Sequence, residues 1–397
     1  MRRLLVVAYY TPPLGLSGVM RVTKLCKFLP EHGWRPLILT TKPAAYYHYD
    51  PKLLDDLVEA GIFRTESTDP ARLLNRLRPA RARQRPTVAR HLGKGPRLLN
   101  YLLFPDAKVG WTPFAVREGR RIIEREKPAA IFATAPPFTS LVIGNRLKAW
   151  SRLPLVLDFR DPWPTGFQPP PPWQRSALVR LRRELLRHAD LALAVNEGTA
   201  RRAGPDVEVL DNGFDPTEFQ LEPRRLDGFA VVHVGNLWEN EQELSRVVRA
   251  LEAEPDARLY LAGRVPAETA RRLGRFPFVK LMGTLDHGDV CRLMLGADAL
   301  LYIGKPGQPV GIKLYEYLGA RRPVVVFGPD TAEAGGLVES TGCGRWAREE
   351  AGLGQALAEV RAEPARFSGS GRERFDRREQ AKRLAVRLEE LVRRTGR

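Results

Sequence analysis

From residue 304 the chain reads Gly304-Lys305-Pro306-Gly307-Gln308-Pro309-Val310-Gly311-Ile312-Lys313-Leu314-Tyr315-Glu316-Tyr317-Leu318. An apolar run ends at Ile303, a glycine- and proline-rich loop follows, and a helix is predicted from Gly311 to Gly319. A helix N-terminus with free amides behind a glycine loop is suited to holding phosphate. Lys313 falls in the first turn, where a cation opposes the helix dipole, and a bound anion nearby explains that choice. Glu316 lies one turn on and is placed to accept from two vicinal ribose hydroxyls. The bland alternatives are a surface lysine and an exposed helical glutamate. A second group is Asp158-Phe159-Arg160-Asp161, at the end of an apolar run over residues 155–159. Two carboxylates flanking an arginine orient an acceptor hydroxyl or hold a charged acceptor. The alternative is an internal Asp–Arg pair anchoring the loop before Pro162. The six histidines, His32, His48, His91, His188, His233 and His287, show no metal-ligand spacing, so no metal site is expected. His233 reads as packed in a strand. Cys26 and Cys291 read as small hydrophobes and Cys343 as a turn residue.

Several motifs occur in a fixed order along the chain. Tyr9-Tyr10-Thr11-Pro12-Pro13, Ser17-Gly18 and Arg21 come first, then Thr134-Ala135-Pro136-Pro137-Phe138 and Leu157-Asp158-Phe159-Arg160-Asp161-Pro162-Trp163. Asp211-Asn212-Gly213-Phe214-Asp215, Val234-Gly235-Asn236-Leu237, the 310–318 run and Pro323-Val324-Val325 complete the series. Together they resemble the family 4 glycosyltransferases, closest to the branch with a K-L-x-E-Y-L donor motif, over nearly the whole chain. The resemblance implies a GT-B fold: two doubly wound, Rossmann-like domains facing across a cleft. It implies sugar transfer from a nucleotide-diphosphate sugar with retention at the anomeric carbon and no essential metal or cofactor. Glu316 then takes the ribose hydroxyls, and the Gly311 and Ile312 amides meet the diphosphate. Gly18 lets the first loop approach the same diphosphate, and Arg21 adds charge. Val310, Lys313, Leu314, Gly235 and Asn236 complete the donor set. Asp158, Arg160 and Asp161 are expected to position the acceptor or the sugar.

This sequence departs from the family pattern in two places. Gln308 stands where a glutamate is common, so it can hydrogen-bond a sugar hydroxyl but carries no charge. Gly235 is followed by Asn236, Leu237, Trp238, Glu239, Asn240 and Glu241, with no cation to clamp a diphosphate. Arg264, with Lys305 or Lys313, is the expected substitute.

The elements that must position these groups follow a strand–loop–helix rhythm. Strands are predicted over residues 3–9, 35–40, 129–133, 155–159 and 191–195, with helices over 114–126, 139–150 and 176–188 between them. The rhythm restarts with strands over 229–234, 258–262, 279–282, 299–303 and 323–327 and helices over 242–253, 267–273, 289–296, 311–319 and 332–341. Apolar strands alternating with helices imply parallel sheets covered on both faces. The expected domains are residues 1–216 (acceptor side), 217–372 (nucleotide sugar) and a C-terminal segment 373–397. The last carries a helix with Leu384, Leu388 and Leu391 on one stripe, packing back toward the first domain. Residues 216–227 read as a linker.

At 397 residues the chain is long enough for two cores, and its 43% hydrophobic content excludes wholesale disorder. Three cysteines suit a reducing compartment. The opening Met1-Arg2-Arg3 and apolar run superficially look like a signal peptide, but Thr11-Pro12-Pro13 occupies the cleavage position, so a first strand in a cytoplasmic protein is expected. The net charge is +18. Its basic excess clusters at residues 72–97, where Arg72, Arg76, Arg78, Arg81, Arg83, Arg85, Arg90, Lys94 and Arg97 occur without an acidic residue. This segment is either a solvated insertion or a docking surface for anionic lipid or a phosphorylated acceptor. It lacks the zinc spacing or aromatic platform of a nucleic-acid binder. The resulting expectation is a transferase, peripheral on the inner membrane face, building cell-surface polysaccharide such as lipopolysaccharide on a glycan or lipid-linked acceptor. The alternatives are a non-catalytic nucleotide-sugar-binding or partner protein and a nucleotide-sugar epimerase.

Overall fold

A computed structural model describes residues 1–15, 17–43, 49–70, 72–73, 103–163, 172–237, 241–254, 256–304, 310–329 and 331–396. The chain divides into two compact units, Met1–Asn212 with Gln380–Arg397, and Gly213–Glu379.

In the first unit seven strands form one sheet: β1 (Arg2–Val7), β2 (Trp34–Thr41), β3 (Gly61–Thr65), β4 (Ala130–Ala135), β5 (Leu155–Phe159), β6 (Leu191–Ala194) and β7 (Glu208–Val209). Their order is β3-β2-β1-β4-β5-β6-β7 and every pairing is parallel, with Leu5 opposite both Leu37 and Ile131. Successive side chains of a strand point to opposite faces. Leu5, Val7, Leu37, Ile131 and Leu155 therefore meet the helices Thr112–Glu126 and Thr139–Ser151 on one side. Leu4, Val6, Ile38, Phe132 and Val156 meet the helix Ser17–Phe28 on the other. Ala381, Leu384, Leu388 and Leu391 of the last helix, Arg377–Arg394, join this second cluster.

The second unit repeats the plan with β8 (Phe229–Val234), β9 (Ala257–Ala262), β10 (Val279–Gly283), β11 (Ala299–Ile303), β12 (Val324–Phe327) and β13 (Gly344–Ala347). Their order is β10-β9-β8-β11-β12-β13, again parallel throughout. Val232, Leu300 and Val324 face one core, and Val231, Leu301 and Val325 the other. In each sheet the strand order reverses once, between β1 and β4 and between β8 and β11. Ligands of such sheets bind outside the carboxyl ends of the strands at that switch.

Two expectations need correction. The first strand stops at Val7, and Tyr9 turns away to bond Asp69. Residues 216–227 are not a free linker: Asp215 caps a short turn over Pro216–Phe219, and Phe214 and Phe219 pack in the second unit's core.

Candidate functional site

In the second unit the 310–318 run forms the helix Ile312–Gly319 beyond the carboxyl end of β11, with Gly311 as its N-cap. Gln308 and Lys305 lie outside the described residues. Glu316 is buried at 5% exposure, and Lys313 Nζ donates to its Oε2 at 2.6 Å. Burial works against the Lys313 ammonium, but Glu316 beside it outweighs that and holds the lysine pKa above its ordinary value. The two residues are thus one ion pair at the start of the helix, neither an exposed glutamate nor a lone surface lysine. The Gly311 amide, expected to be open for a diphosphate, instead donates to the Tyr302 hydroxyl at 3.0 Å. Leu314 is wholly buried in the core and Val310 packs against it, so both side chains serve the fold. Ile312 is half-buried.

Gly235 and Asn236 follow β8, and Gly263 and Arg264 follow β9. A Cβ on Gly263 would lie 2.1 Å from the Gly235 carbonyl oxygen, and its φ is +139°, so only glycine permits this approach. The Asn236 side chain accepts from the Arg264 amide at 3.0 Å. Gly235, Asn236 and Arg264 are therefore neighbours, held by the close Gly235–Gly263 backbone approach and the Asn236 side chain. His233 was foreseen only as a packed residue. Its Nδ1 donates to the Leu301 carbonyl at 2.9 Å, burial pushes its pKa down to about 4, and the neutral ring turns Nε2 toward Gly235. The Tyr317 hydroxyl accepts from the Val234 amide at 2.7 Å, fixing this helix to β8.

Sequence reading missed one cluster. His287 Nε2 lies 3.8 Å from Cys291 Sγ and 3.1 Å from a Glu218 carboxylate oxygen. These contacts, with Cys291 and then Glu218, raise the His287 pKa to about 11. The four-residue spacing of His287 and Cys291 on one helix was the only signal.

In the first unit the structure divides the Asp158-Phe159-Arg160-Asp161 motif. Asp158 is fully buried. Arg21 Nη2 donates to it at 2.7 Å and Nε at 3.1 Å, and Thr134 donates from its hydroxyl at 2.7 Å. Arg21, 2% exposed, spends Nη1 on the Asp211 carbonyl at 2.8 Å. This corrects two expectations: Arg21 does not add charge toward a ligand, and Asp158 does not face one. The internal Asp–Arg pair exists, but its arginine comes from the helix Ser17–Phe28, not from the motif. Arg160 turns the other way. Its Nε donates to the Ala135 carbonyl at 3.2 Å and its Nη2 to the Pro136 carbonyl. Burial lowers its pKa, while Asp158 and Asp161 oppose that. Asp161 is half-buried, and burial raises its pKa against the pull of Arg160. Gly18, in the first turn of Ser17–Phe28, lies against Arg160. Trp163 stacks on Phe138 at 4.3 Å between ring centres and is 2% exposed, so it is a packing residue.

Of the basic segment 72–97 only Arg72 and Leu73 are described. Arg72 and Lys108 both pair with the buried carboxylate of Asp69, which also accepts from Tyr9 and Ser67. Burial pushes the Asp69 pKa up, but Lys108, Tyr9 and Ser67 hold it below the usual carboxylate range.

Residues 18–213 match the family described as glycosyl transferase 4-like domain. A comparison with curated protein sequences gives no match. Among solved structures, Anabaena HepE in complex with UDP and glucose is 19% identical with a TM-score of 0.63, covering 98% of this chain and 100% of its own. Sucrose-phosphate synthase from Thermosynechococcus elongatus is 16% identical with a TM-score of 0.64, covering 98% and 99%. A glycosyltransferase from Rickettsia africae is 11% identical with a TM-score of 0.67, covering 98% of each chain. The fold is the GT-B fold of these proteins, and the chain is glycosyltransferase-like in the sequence of its first unit.

Proposed function

We propose that this protein is a retaining, metal-independent glycosyltransferase of the K-L-x-E-Y-L branch, using a nucleotide-diphosphate sugar as substrate and no cofactor. The observation that carries the reading is the Lys313–Glu316 pair, its glutamate buried and its lysine half-buried, at the start of the Ile312–Gly319 helix, outside β11 at the sheet's switch point. Glu316 is an acceptor for ribose hydroxyls, and Lys313 with the first-turn amides favours the diphosphate. The UDP ligands of Anabaena HepE support a nucleotide sugar as donor. In the transfer, the bond between the anomeric carbon and the diphosphate oxygen breaks as the acceptor oxygen bonds to the same face. The acceptor proton passes to the leaving diphosphate, so no dedicated base is needed. Fixed donors around that diphosphate lower the barrier as its charge develops. Arg160 and Asp161 position the acceptor or the sugar. The acceptor is a glycan or a lipid-linked glycan for cell-surface polysaccharide, met by a cytoplasmic enzyme at an anionic membrane surface. No described helix is long and apolar enough to cross a membrane.

The test is thermal stabilisation by UDP-, GDP-, dTDP- and ADP-sugars without metal, in wild type and Glu316→Ala. A donor at 100 times its dissociation constant adds about 2.7 kcal/mol. Stabilisation by one donor class, lost in the variant, is the expected result. Acceptor-dependent turnover then marks a transferase. Acceptor-independent isomerisation would mark an epimerase, and binding without turnover a non-catalytic binder.

A further inference from the structure

In the first unit a groove of about 570 Å³ is lined by the helices Pro172–His188 and Glu197–Ala203. Arg182 and Arg183 line it from one helix, and Arg201 and Arg202 from the other. Leu186, Ala203 and Val207 give it an apolar side that belongs to the unit's core. Glu197 is the one carboxylate among its lining residues. Sites for small molecules have this order of volume and this mixture of apolar surface with a few polar groups.

The protein does not balance the charge in this groove. Arg182 Nη1 donates to the carbonyl oxygens of Trp163 and Arg202 at 2.5 and 2.6 Å, which ties the two helices to the loop after β5. Arg201 Nε reaches the Glu197 carbonyl at 3.4 Å. Among the described residues neither Glu197 nor any of the four arginines forms an ion pair. Surface arginines elsewhere do find carboxylates: Arg249 pairs with Glu350 and Arg345 with Glu359, each at 2.7 Å. A helix dipole accounts for Arg201 and Arg202, which stand in the last turn of their helix. It does not account for Arg182 and Arg183, which stand inside theirs. Burial lowers the Arg182 pKa, and the charge of Arg183 adds to that. Like charges gathered on one concave, partly apolar surface repel, and their field is focused there. A bound anion removes that cost.

We infer that this groove is a binding site for a soluble ligand carrying two or more phosphoryl groups. Arg183, Arg201 and Arg202 are exposed and present their guanidinium forks to it, while Arg182 holds the walls together. Each fork can pair with two phosphate oxygens, so three forks on two walls suit a polyphosphate better than a single carboxylate. The concave form selects a small molecule over a bilayer, because a flat layer of headgroups does not fill a groove. The site lies in the other unit from the Lys313–Glu316 pair and does not depend on the transferase reading.

The experiment titrates the full chain with inorganic tripolyphosphate, without metal, by calorimetry. Wild type is compared with the triple variant Arg183→Gln, Arg201→Gln, Arg202→Gln. A control with the same change of charge, Arg225→Gln, Arg271→Gln, Arg275→Gln, alters exposed arginines of the second unit. Tripolyphosphate is expected to bind wild type and the control within twofold of each other, and the groove variant at least tenfold more weakly. The groove variant should keep or raise the melting temperature, because it relieves repulsion and removes no ion pair, which separates lost binding from lost folding. Equal affinity of wild type and the groove variant overturns the inference, as does an equal loss in both triple variants or the absence of any binding. Weaker binding of the groove variant to phosphatidylglycerol vesicles, with tripolyphosphate affinity unchanged, would assign the groove to a membrane and overturn the soluble ligand. Lys313→Ala should keep the groove's binding while weakening that of the nucleotide sugar, so the two readings fail separately.

Discussion

At the scale of single residues, partners decide which charged groups are open to a ligand. Asp158 and Arg160 are two positions apart, yet one is sealed by Arg21 and the other turns to the backbone carbonyls of Ala135 and Pro136, its Nη1 without a partner among the described residues. Removing one partner of a buried pair leaves an uncompensated charge and costs about 3–5 kcal/mol. Arg21→Met should therefore destabilise the first unit by that order in urea unfolding. An effect below about 1 kcal/mol would show that the pair is not buried as described. Lys313→Ala should weaken donor binding about tenfold, several times more than an alanine at an exposed lysine. On the proposed donor site it removes a cation that would face the diphosphate, and it leaves the buried Glu316 without Lys313. Unchanged affinity by calorimetry would remove Lys313 from the donor site. His233 gives a pH dependence. Its folded pKa of about 4 lies below the ordinary histidine value, so the unfolded chain binds more protons between the two. Stability is then complete above about pH 6.5 and falls as the pH drops toward 4, by on the order of 3 kcal/mol. His233→Gln should flatten this limb of the stability–pH curve, and an unaltered slope would assign it to other groups.

At the scale of elements, glycine positions show how closely helix and sheet pack. A Cβ on Gly144, in the helix Thr139–Ser151, would lie 2.7 Å from the Cβ of Ala133 on β4. Gly144→Ala should cost about 1–3 kcal/mol, because two rigid backbones must separate. A melting temperature at or above wild type would mean that this helix sits farther from the sheet. Legibility also follows position in the sheet. Central strands such as β5, β8 and β11 are predominantly apolar runs, broken only by Asp158 in β5 and His233 in β8, and were placed at their observed limits. Of the four edge strands, β10 was foreseen over residues 279–282, and β3, β7 and β13 were not. Arg64 interrupts β3, Arg345 interrupts β13, and β7 has two residues, because a strand paired on one side need not be apolar throughout. The helix Glu350–Ala362 escaped for another reason: Gly352 and Gly354 lower its local propensity, and its core contacts through Leu353 and Leu357 restore it.

At the scale of the whole molecule, chain order and structural membership differ. Gln380–Arg397 belong to the first unit although the second precedes them in sequence. Leu388 is fully buried among Leu4, Val6 and Phe132. Leu388→Ala should cost about 2–5 kcal/mol and lower hydrogen-exchange protection in β1 and β4 while β8 and β11 keep theirs. Equal loss in both sheets would contradict this assignment. Charge acts at this scale too. Replacing Arg76, Arg78, Arg81, Arg83 and Arg85 by glutamine should reduce binding to anionic vesicles and spare nucleotide-sugar binding. Equal binding of wild type to neutral and anionic vesicles would remove the membrane from the proposal. The sequence by itself determined the architecture, since strand and helix periodicities and the motif order are local properties of the chain. It also determined that Glu316 and Lys313 share one helical turn, because three-residue spacing on a helix sets neighbours without tertiary help. Only the tertiary structure decided that Arg21 reaches Asp158 from 137 positions away, that Tyr302 occupies the Gly311 amide, and that Arg160 turns to the Ala135 and Pro136 carbonyls beside Gly18. These pairings join side chains from different elements, and no pattern along the chain records which donor a folded acceptor will meet.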